Sequence, residues 1–178
     1  FGIKTNITTS DGEQLNCSIE ESDRLKRLSQ QMNRRQKKGS NNRWKTVLKI
    51  RKEYEKINNK KNDISNKLVN YLCTKYRLVF MQDENLSGWH KGLFGKQVQH
   101  SFMGRVKSKL KAQKSVQIID RFFPSTKMCQ KCGIINDNMT LNDRVFTCEC
   151  GYSEDRDIKA AKTILLEGKR ISSYIPTE

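Results

Sequence analysis

Two close pairs of cysteines, followed almost at once by an acidic pair, constrain this chain more than any other feature of its sequence. The cysteines are Cys129, Cys132, Cys148 and Cys150. The acidic pair, Asp155 and Asp157, flanks a single arginine. Thiolates presented by two tight turns are typical ligands of tetrahedral Zn²⁺. The segment therefore predicts a structural zinc module next to carboxylates that can face a metal ion or a phosphate backbone.

Three disulfides in a secreted protein are the alternative interpretation of the six cysteines. The spacing argues against it, because Cys17 and Cys73 stand alone while the other four form two pairs. A glycine directly after each pair, Gly133 and Gly151, supplies the permissive backbone that a metal-binding turn needs. The second pair is Cys-x-Cys, which requires a tighter turn. We expect the two isolated cysteines to be ordinary buried thiols in a reducing compartment.

The charge of the chain indicates a polyanionic partner. Its 178 residues include 35 Lys and Arg against 19 Asp and Glu, which gives a formal charge of +16. Each phosphate that such a surface neutralises releases counterions and adds affinity. An anionic membrane is the competing polyanion, but no segment approaches the ~18 apolar residues that span a bilayer. No signal-peptide pattern is present at the first residues.

Two helices with a basic surface are predicted between residues 20 and 77, after a hairpin over residues 1–17. The region from Arg24 to Arg77 holds 18 Lys and Arg but only three acids. A solvated helix face is the ordinary explanation of such a run. We favour a surface that follows a nucleic-acid backbone, because the sixfold imbalance exceeds what solubility requires. The candidate contacts around the break between the helices are Arg34, Arg35, Lys37 and Lys38.

The rest of the pattern predicts an α/β fold, a mixed sheet flanked by helices. Strands are expected at 78–81 and 116–120, with a glycine-rich loop and one amphipathic helix over Val98–Leu110 between them. Acids follow the first of these strands at Glu84, with Asp83, and open the last helix at Asp157. Carboxylates gathered at one sheet edge bind Mg²⁺ or Mn²⁺. Exposed strand-end and N-cap acids are an equally good explanation of the pattern alone.

Several motifs resemble the C-terminal signature of TnpB-type transposon-associated proteins, which are similar to compact type V CRISPR effectors. They are Asp120-Arg121-Phe122-Phe123-Pro124-Ser125-Thr126-Lys127-Met128-Cys129-Gln130-Lys131-Cys132-Gly133, then Cys148-Glu149-Cys150-Gly151, then Asp155-Arg156-Asp157-Ile158-Lys159-Ala160-Ala161. The resemblance implies a RuvC-like nuclease domain of RNase H fold over residues 1–121 and 153–168. It also implies an inserted zinc ribbon over 122–152, followed by a tail at 169–178.

The resemblance further implies catalytic residues. The acid that follows a hydrophobic strand in the family falls on Glu84, within Phe80-Met81-Gln82-Asp83-Glu84-Asn85-Leu86-Ser87-Gly88, and Asp83 is the fallback. The last acid of the family falls on Asp157, and Arg156 is a candidate contact for substrate phosphate. The first acid of the family would stand immediately before Phe1 and is absent from this chain. We therefore expect the 178 residues alone to be inactive or nearly so.

The leading functional hypothesis is the nuclease half of an RNA-guided DNA endonuclease that hydrolyses phosphodiesters with two Mg²⁺ or Mn²⁺ ions. A nuclease-inactive RNA-guided DNA-binding protein and a zinc-ribbon nucleic-acid adaptor are the alternatives. The expected partners are a guide RNA, a target DNA and the missing N-terminal region of the same protein, with no membrane. The expected location is the cytoplasm of a prokaryote, in association with the nucleoid.

Overall fold

A computed structural model describes residues 1–3, 5–35, 37–91, 95–140 and 143–173 of the chain. Its strands are Ile7–Thr8 (β1), Gln14–Leu15 (β2), Val79–Gln82 (β3), Val116–Ile119 (β4), Val145–Thr147 (β5) and Ser153–Asp155 (β6). Its helices are Asp23–Arg35 (α1), Asn41–Lys75 (α2), Leu86–His90 (α3), Gly95–His100 (α4), Met103–Lys111 (α5) and Arg156–Ser173 (α6).

The hairpin predicted at the start of the chain is confirmed around its turn, but among the described residues its strands cover Ile7–Thr8 and Gln14–Leu15 rather than most of 1–17. Ile7 pairs with Leu15 in antiparallel register, and Gly12 in the turn has a φ of +86°, a backbone conformation that favours glycine. The C-terminal end of α2 holds the turn in place, since the Tyr76 hydroxyl donates to Asp11 at 2.7 Å. The hairpin is therefore fixed against the long helix rather than projecting freely.

The helical pair is also confirmed, with its break where the sequence placed it. Ser40 caps α2 by accepting a hydrogen bond from the backbone N–H of Arg43 at 3.3 Å. The buried face of α2 differs from a simple apolar stripe, because Tyr54 and Tyr71 are exposed while Ser65 is fully buried. The helix packs against α1 along one part and against α5 along another. A straight helix of 35 residues cannot keep one stripe facing both neighbours.

The sheet structure is less extensive than predicted. β3 and β4 run parallel, with Val79 opposite Val116 and Gln82 opposite Ile119, and α6 packs against both strands. Within the described residues, the strands form three two-stranded sheets, β1–β2, β3–β4 and β5–β6. The α/β class is thus confirmed. One continuous mixed sheet with RNase H-like topology stays a prediction, as does the proposed division into domains.

The region after Glu84 contains more helix than expected. Where a glycine-rich loop was predicted, α3 begins at Leu86 and is capped by the side chain of Asn85, which accepts from the N–H of Gly88. The single helix expected over Val98–Leu110 is divided into α4 and α5. The division has a tertiary cause, because the N–H of Phe102 donates to the carbonyl of Cys17 at 2.7 Å instead of continuing α4.

The hydrophobic core lies between the N-terminal hairpin, α2, β3 and α5. Its buried members are Ile7, Cys17, Val69, Leu72, Met81, Phe102, Met103, Val106 and Leu110. Cys17 is fully buried, as expected for an ordinary thiol, and burial raises its pKa to about 11. Cys73, for which burial was also expected, is only partly buried. In the portion of the chain that the structure describes, no helix combines the length and the apolar character that crossing a membrane requires.

Candidate metal centre and active site

The four paired cysteines meet in space as the sequence predicts. Their sulfur atoms all lie within 4.8 Å of one another. The Sγ atoms of Cys129 and Cys150 are 3.7 Å apart, and those of Cys132 and Cys148 are 3.5 Å apart. Four thiolates bound to one Zn²⁺ at ~2.3 Å in tetrahedral geometry would be about 3.8 Å apart. The cluster can therefore bind a zinc ion with little movement.

The backbone around the cysteines forms two tight turns. In the first, the N–H of Gly133 donates to the carbonyl of Cys129 at 2.9 Å, and Gly133 has a φ of +76°. In the second, the N–H of Gly151 donates to the carbonyl of Cys148 at 2.9 Å, with a φ of +80°. A side chain at either glycine would be strained whatever the space around it. The two glycines thus have the role in the turns that the spacing predicted.

The thiols interact strongly with one another and with backbone donors. Burial by itself would raise the pKa of Cys129, but hydrogen bonds from the N–H groups of Cys132 and Lys131 lower it to about 7. At Cys148 a hydrogen bond from the N–H of Cys150 lowers the pKa, while burial and the neighbouring thiols raise it to about 12. Four thiols so close cannot all ionise without a cation among them, which suits a metal-binding centre.

The two acids after β3 have different surroundings. The Asp83 carboxylate is held by Lys107 at 2.8 Å, Lys111 at 2.7 Å and Arg121 at 3.3 Å. Hydrogen bonds from Lys107 and then Lys111 keep its pKa well below the usual range of an aspartate. In the part of the chain that the structure describes, Glu84 has no side-chain ion pair, and its carbonyl accepts a hydrogen bond from Lys107. Glu84 is thus the acid with oxygens left for a ligand.

A similar division of roles holds at the start of α6. Asp155 caps the helix, because its Oδ1 accepts from the backbone N–H groups of Asp157 at 2.9 Å and Ile158 at 3.1 Å. Asp157 lies in the first turn with a half-exposed side chain, and the Nε of Arg156 approaches its Oδ1 at 3.5 Å. Arg156 also donates to the carbonyl of Thr140. The capping acid is therefore Asp155, and the carboxylate of Asp157 lies beside Arg156.

The elements that carry the two sets of acids pack against one another. α6 packs against β3 and β1, and the side chain of Ile158, next to Asp157, would be 3.8 Å from a Cβ atom placed on Gly12 in the hairpin turn. Among the described residues, the four cysteines are the one group of three or more possible metal ligands whose ligand atoms lie close together.

A buried glutamine at the end of β3 binds the segment that joins β4 to the first cysteine pair. This segment, residues 120–128, is called segment 120–128. The Nε2 of Gln82 donates to the carbonyls of Asp120 and Arg121, both at 3.1 Å, and of Phe123 at 2.6 Å. Its Oε1 accepts from the buried Ser125 hydroxyl at 2.7 Å. Gln82 is 6% exposed. One side chain therefore binds three backbone carbonyls of this turn.

A buried lysine in α6 binds the same segment. The Nζ of Lys159 donates to the carbonyls of Ser125 at 3.0 Å, Thr126 at 2.6 Å and Met128 at 2.9 Å. It also lies 3.9 Å from the centre of the Phe146 ring, a cation–π contact. Burial lowers the pKa of Lys159 to about 8, although the charges of Cys129 and Cys148 oppose that shift.

Sequence reasoning missed Gln82 and Lys159. A weak signal was available for each, since Gln82 is the polar residue that ends an otherwise apolar strand. Lys159 lies two residues after Asp157, inside the motif already singled out. The sequence did not show that a lysine in a basic chain would be fully buried here, because that depends on the carbonyls gathered around it.

The basic residues proposed for nucleic-acid contacts surround the break between α1 and α2. Arg34 and Lys37 line a polar concavity of about 620 Å³ together with Arg27, Gln30, Gln31, Ser40 and Asn42. Lys38 is exposed at the same turn, and the side chain of Arg35 lies outside the described residues. Among the ion pairs formed by described side chains, none involves Arg27, Arg34 or Lys37. Within the described part of this surface, the positive charges of these three side chains are therefore not paired with acids.

Comparisons with known proteins agree with these features. Residues 100–164 match the family described as Cas12f1-like, TNB domain. A protein of Streptomyces pristinaespiralis, named as an RNA-guided DNA endonuclease, is 31% identical over 97% of this chain. A protein of Acanthamoeba polyphaga mimivirus, named as a transposase, is 30% identical over 76% of this chain. The chain spans 45% of the first relative and 30% of the second.

Proposed function

Because this chain belongs to the transposon-associated family that carries the Cas12f1-like TNB domain, we propose that it is the nuclease half of an RNA-guided DNA endonuclease. The proposed reaction is hydrolysis of DNA phosphodiester bonds. Its partners would be a guide RNA, a target DNA and a further region of the same protein. Such an enzyme would act in the cytoplasm of a prokaryotic cell, at the nucleoid.

The observation that carries the proposal is that Gln82, two residues before Glu84, and Lys159, two residues after Asp157, both bind Ser125. It supports a site in which carboxylates from the end of β3 and the start of α6 face a common space. An acid directly before Phe1, where the family has its first acid, would add a third ligand. We propose that the complete site consists of that acid, Glu84 and Asp157, with Asp83 outside it because three cations hold its carboxylate.

The donor set fits hard divalent cations, since carboxylate oxygens are the ligands that Mg²⁺ and Mn²⁺ prefer. Two such ions, when bound, would activate a water molecule and stabilise the leaving oxygen of the phosphodiester. The chain would supply the rest of the site. Glu84 and Asp157 would hold the ions, and Arg156, beside Asp157, would orient a substrate phosphate. Zinc at the four thiols would have a structural role.

The basic concavity at the turn between α1 and α2 supports a second element of the proposal. Arg34, Lys37 and Lys38, with Arg35, would contact the backbone of the guide–target duplex rather than its bases. In such complexes the base pairing selects the sequence, and the protein binds the shape and charge of the duplex. Arg34 and Lys37 suit this task, because among the described ion pairs they have none that must be broken before they bind phosphate.

The test is cleavage of target DNA by the complete protein with its guide RNA and Mg²⁺ or Mn²⁺. Glu84→Gln and Asp157→Asn should each reduce the cleavage rate by more than about a hundredfold. Mutating a residue that only supports a metal ligand already lowers metal affinity or activity by roughly 10–100-fold, and these two variants remove a ligand itself. DNA affinity should stay unchanged in both variants. Asp63→Asn is the control, because Asp63 forms a surface pair with Lys67.

Other results would favour the alternatives. Guide-dependent DNA binding without any cleavage by the unmodified protein would indicate a nuclease-inactive binding protein. Binding that needs neither guide RNA nor divalent cations would indicate a zinc-ribbon adaptor. Cleavage by the 178 residues alone, abolished by Glu84→Gln, would show that no further acid is required and would overturn the three-acid site.

A further inference from the structure

Each of the two proposed metal-binding carboxylates lies two residues from a buried polar side chain that binds segment 120–128. Gln82 precedes Glu84 and binds the first part of the segment. Lys159 follows Asp157 and binds the last part. The two sets of contacts meet at Ser125, whose hydroxyl donates to Gln82 and whose carbonyl accepts from Lys159. The end of β3 and the start of α6 are thus joined through one short stretch of backbone.

Lys159 is held firmly against segment 120–128 by its burial and its hydrogen bonds. The side chain is fully buried, and a buried ammonium is costly unless its donors are satisfied. Three carbonyls and one aromatic face satisfy it. Among the described ion pairs Lys159 has no acidic partner, so the carbonyls of the segment are its main compensation. If the segment moved away, the ammonium group of Lys159 would stay buried without acceptors for its hydrogen bonds, which is unfavourable.

Segment 120–128 leads directly into the cysteine cluster. Met128, whose carbonyl binds Lys159, precedes Cys129 in the chain and forms a bridge with Ile135 on the other side of the turn. The N–H of Cys129 donates to the carbonyl of Ile134 at 2.8 Å. A metal ion at the thiols would hold this turn closed. Four thiolates around a divalent cation also keep a net negative charge, which attracts the nearby ammonium of Lys159.

We propose that Gln82 and Lys159 are positioning residues that make divalent-cation binding at Glu84 and Asp157 depend on metal occupancy of the four cysteines. The inference rests on the proposed function, because it takes Glu84 and Asp157 as ligands of the catalytic cations. A metal in the ribbon fixes Cys129 and hence segment 120–128. The segment, through Gln82 and Lys159, fixes the relative position of β3 and α6. Loss of the ribbon metal therefore loosens the carboxylate site.

The experiment measures Mn²⁺ affinity of the complete protein, from the electron paramagnetic resonance signal of free Mn²⁺, with zinc present and after zinc is removed. Zinc removal should weaken Mn²⁺ binding by the unmodified protein by roughly 10–100-fold, the range seen when the supports of metal ligands are removed. Lys159→Met keeps the length of the side chain but not the ammonium. With zinc bound, it should already show the weakened affinity, and zinc removal should then change it by less than about threefold.

Lys162→Met is the matched control. It makes the same substitution about one turn further along the same helix, at a partly exposed lysine that pairs with Glu154. It should behave as the unmodified protein in both zinc states. Gln82→Met tests the other support and should weaken Mn²⁺ binding without lowering the zinc content. Because both residues act through one segment, the double variant should lose less affinity than the product of the two single losses.

Amide hydrogen exchange separates this proposal from the proposed function. Zinc removal should speed exchange of the N–H groups of Asp157 and Ile158, which Asp155 holds, in the unmodified protein. In Lys159→Met exchange should already be fast. If Glu84→Gln leaves Mn²⁺ affinity unchanged while this exchange pattern holds, the carboxylate site is wrong but the mechanical connection is right.

Two outcomes would overturn the connection itself. One is an equal loss of Mn²⁺ affinity on zinc removal in Lys159→Met and in the unmodified protein. The other is unchanged exchange at Asp157 and Ile158 after zinc removal. If Lys159→Met does not fold, Gln82→Met decides by the same two criteria. Its zinc content, expected to equal that of the unmodified protein, shows that the ribbon is intact.

Discussion

Gly168 in α6 lies directly against the ring of Phe80 in β3. A Cβ atom placed on Gly168 would be only 2.2 Å from two carbons of that ring. Glycine is a poor helix former, at a cost of ~1 kcal/mol relative to alanine, so its presence here has a packing reason. It lets α6 approach β3 closely. The contact sets the separation of α6, which carries Asp157, and β3, which ends two residues before Glu84.

The first prediction follows from this contact. Gly168→Ala should destabilise the protein by about 1–3 kcal/mol, as overpacking in a core usually does, because the Phe80 ring must move. Urea denaturation monitored by circular dichroism measures the loss. Gly104→Ala in α5 is the control, since a Cβ there meets nothing within 4 Å and should add up to ~1 kcal/mol of helix stability. Equal stability of Gly168→Ala and the unmodified protein would refute the packing argument.

The sequence predicted those features whose conformation depends on neighbouring residues. The cysteine spacing predicted the four-sulfur cluster, and Asp11-Gly12 predicted the turn between β1 and β2. The break around Ser40 separated the two long helices. In each case a few neighbouring residues determine the backbone conformation. No distant contact was needed to recognise them.

Three features of the structure depend on contacts between residues that are far apart in the sequence, and local patterns could not predict them. The division between α4 and α5 depends on a hydrogen bond from Phe102 to Cys17, 85 positions earlier along the chain. The choice of Glu84 over Asp83 as the available acid depends on three cations from α5 and the turn after β4. The buried Lys159 depends on carbonyls more than 30 residues away.

The second prediction concerns zinc stoichiometry. The protein should bind one zinc ion per chain, and Cys132→Ser should lower this value or weaken the affinity strongly, because a hydroxyl is a poor replacement for a thiolate ligand. Cys73→Ser should leave it unchanged, since Cys73 is outside the cluster. Atomic emission spectroscopy with a colorimetric zinc-release assay measures both. Metal removal should also unfold the β5–β6 hairpin, and an unchanged near-ultraviolet spectrum after chelation would contradict this.

The third prediction is a pH dependence that arises from Asp83. The cations around Asp83 hold its pKa below the usual value of 3.8, so the group contributes stability above that value. The contribution is lost as the pH falls through the lower pKa of the folded state. Asp83→Asn should therefore lower the thermal midpoint at pH 7, and the difference from the unmodified protein should shrink as the pH falls below about 4.

The control for this prediction is Asp63→Asn, which removes a single surface pair with Lys67. Its effect at pH 7 should be smaller, because exposed pairs contribute little. Added salt should also reduce the effect of Asp83→Asn, since the Asp83 cluster is partly exposed to solvent. A difference between Asp83→Asn and the unmodified protein that stays constant from pH 7 down to pH 2 would assign the effect to packing rather than to charge.

The fourth prediction concerns the concavity at the turn between α1 and α2. Replacing Arg27, Arg34 and Lys37 together by Gln should weaken duplex binding and reduce the slope of log affinity against log salt concentration. The expected reduction is roughly 0.7–0.9 for each phosphate of the guide–target duplex that the variant no longer neutralises. Fluorescence anisotropy at several salt concentrations measures it. Lys67→Gln is the control, because Lys67 is already paired with Asp63 at 2.8 Å and lies outside the concavity. If the triple variant keeps the unmodified slope, the protein binds the DNA backbone elsewhere, since neutralising fewer phosphates must release fewer counterions.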